Sequence, residues 1–326
     1  MRPCRVCRQP IHRPPFQARE MMFGFRDTFD YVECEHCGCI QICEVPSDLA
    51  RYYPPGYGAH EPRPFTDTHA RQPAWKRWLK ERLTEHALGR RNPLGALLAL
   101  RFRPGLPYWV ARRSLSLRLD SPILEVGAGA GDKLLELRRC GFRRLLGVDP
   151  FIAGPIEYEG GVRILRGDLD AVDGSFDFIM LHHAFEHMPE PRASLRALRA
   201  RLRPGGWVLI RTPVAGSHAW KRYGPNWVQL DAPRHLFLHT PRSLELLAAE
   251  AGLRIAEVFY DSRAFQFWGS EQYRRDIPLH DPRSPFRNPE GQTLFSREQM
   301  AAWAREAEAL NARGEGDQAC FYLRAV

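Results

Sequence analysis

The chain has 326 residues, 44% of them hydrophobic and 26% charged, a composition that excludes wholesale disorder and is large enough to bury a full core. No apolar run approaches the ~20 residues that span a bilayer, and the opening "MRPCRVCRQP" has no hydrophobic stretch of the secretory kind; a soluble, cytoplasmic protein is expected, with peripheral membrane contact left open. The net charge of +9 is concentrated: Arg71 to Arg118 holds twelve Lys or Arg against Glu81 and Glu85, which is +10, so the rest of the chain is close to neutral.

Residues 1–45 read as a small cysteine-bearing unit, because six of the eight cysteines lie before residue 44. Cys4-x-x-Cys7 and Cys34-x-x-Cys37 are two knuckles whose thiolates suit one tetrahedral zinc. The gap between them is longer than the usual zinc-ribbon gap of about 15–20 residues. Cys39 and Cys43 are alternative ligands, and a reduced or redox-active set of thiols is the competing account. Four thiolates leave no open coordination position, which points to structural zinc. The unit is expected to have its own hydrophobic interior.

Residues 46–118 follow as a connector and a basic helical segment. "RYYPPGYGAHEPRPFTDTHARQP" (51–73) is rich in Pro, Gly and Tyr. Trp75, Trp78, Leu79, Leu83 and Ala87 recur at helical spacing, with Lys76, Arg77, Lys80, Glu81 and Glu85 on the other face. This predicts a helix with its aromatic side turned inward. Residues 92–102 form a second short helix candidate.

Residues 119–326 alternate strand and helix. Strands are predicted at 122–126, 144–149, 162–166, 176–181, 206–211, 254–260 and 318–326, and helices at 131–140, 191–202 and 241–251. The pattern is an α/β fold with a parallel sheet and helical crossovers. The helix expected after the second strand is nearly missing, since "FIAGPIEYEGG" is short and broken by Gly and Pro. Residues 261–317 read as an insertion before the last strand.

The first strand stops at Glu125 and opens into Gly127, Gly129 and Gly131, where the backbone can turn sharply and approach a ligand. Asp149, ending the next strand, is placed to bind two ribose hydroxyls. The dinucleotide fingerprint is not matched, because Asp132 stands where its last glycine belongs, and Lys133 lacks the Ser/Thr of a P-loop.

"LEVGAGAG" (124–131) resembles motif I of class I S-adenosylmethionine-dependent methyltransferases, and "GVDP" (147–150) resembles their motif II. "RILRGDLDAV", "FDFIMLHHAFEHMPEP" and "LRPGGWVLIRTP" resemble later motifs of that family in the same order. The resemblance implies a Rossmann-like, seven-stranded sheet with helices on both faces, plus the zinc ribbon. It implies that Gly127, Gly129 and Gly131 cradle the methionine part of S-adenosyl-L-methionine, with Glu125 supporting the loop or the amino group. Asp149 would hold the ribose, and Asp168 with Leu169 the adenine, although Asp170 competes with Asp168. The ribbon, "YYPPGYG" and residues 227–253 also resemble a bacterial family of methyltransferases associated with surface-polysaccharide and sugar modification.

Transfer to a hydroxyl or amine needs a base. His182, His183, His187 and His235 are candidates, with His235 and His187 preferred. The stretch 213–240 is far longer than the ~2–6 residues of an ordinary connection and is expected to be a binding loop or lid. In it Trp227 and Tyr223 could cover a sugar ring, beside Trp220, and Arg234 could meet an anionic group, beside Lys221 and Arg222. The expected acceptor is an anionic small molecule, sugar nucleotide or glycan intermediate. RNA, read by ribbon and basic patch together, is the alternative enzyme substrate, and a non-catalytic cofactor-binding scaffold is the alternative of another class.

Overall fold

The computed structural model describes residues 2–54, 60–289 and 294–326; part of the Pro/Tyr-rich connector, residues 55–59, lies outside the described residues. Two compact units are built from interleaved stretches. The first holds Met1–Pro55, His183–Ala193 and Arg211–Phe321, and the second Gly56–His182, Ser194–Ile210 and Tyr322–Val326.

The first unit begins with strands β1 (Arg2–Pro3), β2 (Pro10–Ile11), β3 (Phe16–Arg19), β4 (Thr28–Glu33) and β5 (Ile40–Ile42). The second opens with helices α1 (Ala74–Ala87) and α2 (Pro93–Ala99). There follow β6 (Pro122–Val126), α3 (Asp132–Arg139), β7 (Arg144–Asp149), β8 (Ile156–Tyr158), β9 (Val162–Arg166) and β10 (Phe176–His182). The chain then runs through α4 (Pro191–Ala200), β11 (Leu202–Pro213), α5 (His218–Tyr223), β12 (Phe237–Leu238), α6 (Pro241–Glu250) and β13 (Leu253–Tyr260). It closes with α7 (Phe265–Arg274), α8 (Arg297–Arg313) and β14 (Gln318–Ala325).

The large sheet has the order β13-β14-β11-β10-β6-β7-β9-β8. β10, β6, β7 and β9 pair in parallel. The central β6 is buried at all five positions, as parallel strands covered on both faces must be. The sheet has eight strands where seven were expected. The extra one, β8, pairs antiparallel with β9 and occupies the place of the missing crossover helix. Gly160 and Gly161, both at positive φ, turn that hairpin.

The cysteine segment does not have a hydrophobic interior of its own. Its sheet is ordered β12-β5-β4-β3, so its fourth strand comes from Phe237 and Leu238, antiparallel to Gln41 and Ile40. Tyr31 is buried and donates its hydroxyl to the His235 carbonyl at 2.9 Å. A unit this small lacks apolar area for a core, and it obtains one from residues 228–239. The stretch 213–240 is therefore packed structure rather than a lid.

α1 departs from the expectation at its two tryptophans. Trp75 and Trp78 are exposed, while Leu83, Thr84 and Leu88 are buried.

Candidate active site and four-cysteine centre

In the second unit the loop between β6 and α3 is shaped by three glycines at positive φ: 70° at Gly127, 52° at Gly129 and 86° at Gly131. A Cβ at Gly131 would stand 2.7 Å from Ile164 Cδ1, so both the turn and the packing require glycine there. Asp149 ends β7 and fastens the loop: its Oδ2 accepts from Gly129 N and its Oδ1 from Phe151 N, each at 2.8 Å. The β8 hairpin adds a second fastening, in which the Tyr158 hydroxyl donates to the Ala130 carbonyl at 2.7 Å. Sequence reasoning missed Tyr158, because only the pairing of β8 brings it to the loop.

Glu125 is the other notable group. It is buried at the end of β6, its Oε2 has no hydrogen-bond partner, and burial pushes its carboxyl well above the usual range. An orphaned buried carboxylate beside a glycine loop fits a cationic ligand group, such as the amino group of an amino acid. Asp168 is exposed and accepts from Asp170 N at 2.9 Å, while Leu169 is buried.

In the first unit two knuckles repeat one backbone pattern thirty residues apart. Cys4 N donates to Gln9 O and Arg8 N to Cys4 O; Cys34 N donates to Cys39 O and Gly38 N to Cys34 O. Arg8 and Gly38 hold the left-handed position, at φ 63° and 71°. The four Sγ atoms of Cys4, Cys7, Cys34 and Cys37 all lie within 4.8 Å of one another, with Cys4–Cys37 at 3.7 Å and Cys7–Cys34 at 3.5 Å. Zinc with Zn–S of about 2.3 Å separates tetrahedral sulfurs by roughly 3.8 Å, so the cluster is arranged to take one zinc ion. Cys39 is instead buried with its Sγ toward Ile40 O at 3.5 Å, and neither it nor Cys43 belongs to the cluster.

Both knuckles are tied down by the same helix of this unit. Thr240, the N-cap of α6, donates its hydroxyl to Cys37 O at 2.6 Å. At its other end Glu250 receives Arg192 Nε at 2.6 Å, and Arg192 also donates to Arg5 O and Val6 O.

Glu186, His187 and His235 come together in this unit, with one ligand-type atom of each within 4.8 Å of the others. Both imidazoles are oriented by backbone: His187 Nδ1 meets Arg234 O at 2.9 Å and His235 Nδ1 meets Gln229 O at 2.7 Å. A carbonyl only accepts, so each Nδ1 carries the proton and each Nε2 the lone pair. Glu186 is fully buried; Thr212 donates to its Oε2 at 3.0 Å, and His183 Nδ1 and His235 Nε2 lie 3.3 and 4.0 Å from its Oε1. Burial opposes the charge of Glu186, but His183, His235 and His187 hold its carboxyl down at about 2. Burial, with His187 beside it, pushes His235 down to about 4. Glu186 was not singled out from the sequence, although the dipeptide Glu186-His187 carried it.

The expected substrate contacts are corrected. Arg234 is fully buried: Nη2 reaches Glu20 Oε1 at 2.9 Å and Asp231 Oδ1 at 2.6 Å, Nε reaches Asp231 Oδ2, and Nη1 reaches Tyr52 O. Such a guanidinium is spent on structure. Trp227 is fully buried with its indole N–H on Asp317 Oδ2 at 2.9 Å, and Tyr223 is buried too, so neither lies open to cover a sugar. Loop aromatics look alike in sequence whether they face a ligand or a core.

Residues 99–258 match the family model described as "Methyltransferase domain". A trans-aconitate 2-methyltransferase of Deinococcus radiodurans is 28% identical over 105 residues, 31% of this chain and 41% of the relative. A ubiquinone biosynthesis O-methyltransferase of Bordetella avium is 27% identical over 179 residues, covering 50% of this chain and 71% of the relative. The chain thus spans less than half the length of the Deinococcus protein. A solved S-adenosylmethionine-dependent methyltransferase of Archaeoglobus fulgidus is similar at 18% identity and a TM-score of 0.39, over 64% of this chain and 86% of that one. The match to a methyltransferase domain, over just under half of the chain, takes in the glycine loop at the mouth of β6.

Proposed function

We propose that this chain transfers a methyl group from S-adenosylmethionine to a hydroxyl of a sugar, sugar nucleotide or glycan intermediate. The observation that carries the cofactor part is Glu125, a buried carboxylate with an unpartnered oxygen at the strand end where the glycine loop opens. Gly127 to Gly131 would hold the methionine part and Glu125 its amino group. Asp149 has one lone pair left on each oxygen after binding the loop amides, which suits ribose hydroxyls. Asp168 and Leu169 would meet the adenine. The bound cofactor supplies an electrophilic methyl on a sulfonium.

For the acceptor, Glu186, His187 and His235 supply an ionised carboxylate and imidazoles whose tautomers are fixed by backbone carbonyls. His187 is half-buried and His235 buried. With its basicity pushed down to about 4, His235 is better suited to orienting an acceptor hydroxyl than to keeping its proton. His187 is the base in this reading, and Glu186 stabilises the imidazolium it becomes. A hydroxyl acceptor accords with the Bordetella relative, whose name states O-methylation.

Tritium-labelled methyl from S-adenosylmethionine should enter a sugar-nucleotide or glycan fraction with the wild-type chain and fall at least about a hundredfold with His187→Ala. Label entering RNA instead would replace the acceptor, and no transfer to any fraction would leave the cofactor-binding scaffold as the correct account.

A further inference from the structure

α1 buries Leu83 but leaves its N-terminal aromatic residues outside. Its polar side chains face the second unit: Lys80 Nζ donates to Arg139 O at 2.8 Å, Glu81 pairs with Arg143 at 2.8 Å and with His69 at 3.2 Å, and Thr84 is buried. Its aromatic side faces out, with Trp75 61% and Trp78 50% exposed. α2 is seated across α1 through Gly95, where a side chain would run into Arg82 O and His86 Cβ, and it too turns outward. Leu97 is 64% exposed and Leu100 84%, and Phe102, just beyond the helix, is 55%. Five large apolar side chains within 28 residues are more than the scattered singles of an ordinary surface.

Cations are interleaved with them. Lys76 Nζ lies 5.3 Å from the Trp75 ring, and the guanidinium carbons of Arg82 and Arg101 lie 5.9 Å and 5.7 Å from the Trp78 and Phe102 rings. In the same segment and its surroundings a polar cavity of about 400 Å³ gathers Arg82, Arg90, Arg91, Arg118 and Arg143 with Glu85 and Asp120; Arg82, Arg118 and Arg143 are paired with Glu85, Asp120 and Glu81, so five arginines there stand against three carboxylates.

We propose that α1, α2 and Phe102 form a docking surface for an anionic lipid membrane, with Trp75, Trp78, Leu97, Leu100 and Phe102 entering the headgroup boundary and the arginine-lined cavity meeting lipid phosphate. Charge decides among occupants. A second copy seated on the same patch would set one strongly basic surface against another, which costs rather than stabilises. Nucleic acid accounts for the cations and the stacking rings, but it offers nothing to Leu97 and Leu100. A bilayer surface satisfies both: apolar side chains enter the boundary, and basic residues are attracted to anionic headgroups. The inference deepens the proposed function by making a lipid-linked glycan the natural acceptor, and only that clause rests on the methyl-transfer reading.

The test is co-sedimentation of the full chain, without cofactor, with vesicles of phosphatidylcholine alone or with about 30 mol% phosphatidylglycerol. The expected result is binding to the anionic vesicles only, weakened by raised salt. Trp78→Glu and Leu100→Glu should each lower the partition coefficient about tenfold or more while the melting temperature is unchanged, since both positions are exposed. The proposal is overturned if the wild type stays in the supernatant with anionic vesicles, or if both variants bind them as the wild type does. It is equally overturned if light scattering shows a dimer that the variants dissolve, or if RNA competes fully and is itself lost with the variants. Methyl transfer plays no part in the readout, so its failure and the failure of docking are separable.

Discussion

In the second unit the glycine loop, Asp149, Asp168 and the strands that carry them lie within residues 122–172, whereas in the first unit the cysteines, Glu186–His187 and Asp231–His235 are drawn from positions 4 to 235. The first kind of site is made by local chain: a strand ends, glycines turn, a helix starts, and the next strand pairs in parallel beside it. The second kind is made by assembly, where β12 completes the sheet of β3–β5 and α6 holds both knuckles. A site of local origin should fail one residue at a time, while an assembled one should fail as a unit. Binding and stability measurements can separate the two.

The largest expected effect is on the assembled side. Removing the cluster's metal with a chelator, or changing Cys34→Ser, should lower the melting temperature of the whole first unit, because structural zinc contributes on the order of 10 kcal/mol in small metal domains. Elemental analysis should find about one zinc per chain after reducing purification. Melting confined to residues 1–45, seen by hydrogen exchange, would restore the cysteine segment as an independent module.

Next comes Arg234→Ala. It strands the buried carboxylates of Glu20 and Asp231 and should cost about 3–5 kcal/mol of stability in urea unfolding. A variant that keeps its stability and loses only acceptor affinity would return Arg234 to the substrate role expected from its sequence context.

A smaller, pH-dependent effect belongs to Asp317, whose carboxyl burial pushes up to about 6 despite the Trp227 N–H. Its folded value lies above its unfolded one, so the folded state binds more protons in between. Stability should therefore fall by about 2–3 kcal/mol as pH rises from about 4 through 6, and Asp317→Asn should flatten that slope. An unchanged slope in the variant would assign it to another group.

On the local side, Tyr158→Phe removes one hydrogen bond from the Ala130 carbonyl and should cost about 1 kcal/mol, with a cofactor affinity only a few-fold weaker. A collapse of the first unit's melting transition in this variant would erase the contrast between the units.

How much could be read from residues follows the same divide. The strands β6, β7, β9, β10, β11, β13 and β14 all coincide with predicted runs; the parallel β6, β7, β9 and β10 declare themselves as short apolar stretches between glycines and helices. The four zinc-type cysteines were legible from two matching knuckles. Trp227 and Arg234 were misread, since nothing in a sequence says whether a loop aromatic faces Asp317 or a sugar. Tyr158, Thr240 and Arg192 were invisible, because each acts on a partner that only the fold brings near. In α1 the periodicity placed Leu83 correctly and Trp75 and Trp78 wrongly, since the spacing does not say how far along a helix its neighbour extends.

The central claim is that the glycine loop and its carboxylates form an S-adenosylmethionine site, and isothermal titration with S-adenosylhomocysteine tests it most directly. Wild-type protein should bind about one equivalent, with the affinity lost beyond detection in Asp149→Ala and reduced in Glu125→Gln while both variants remain folded. No binding to folded wild-type protein, or equal affinity in Asp149→Ala, would contradict the claim.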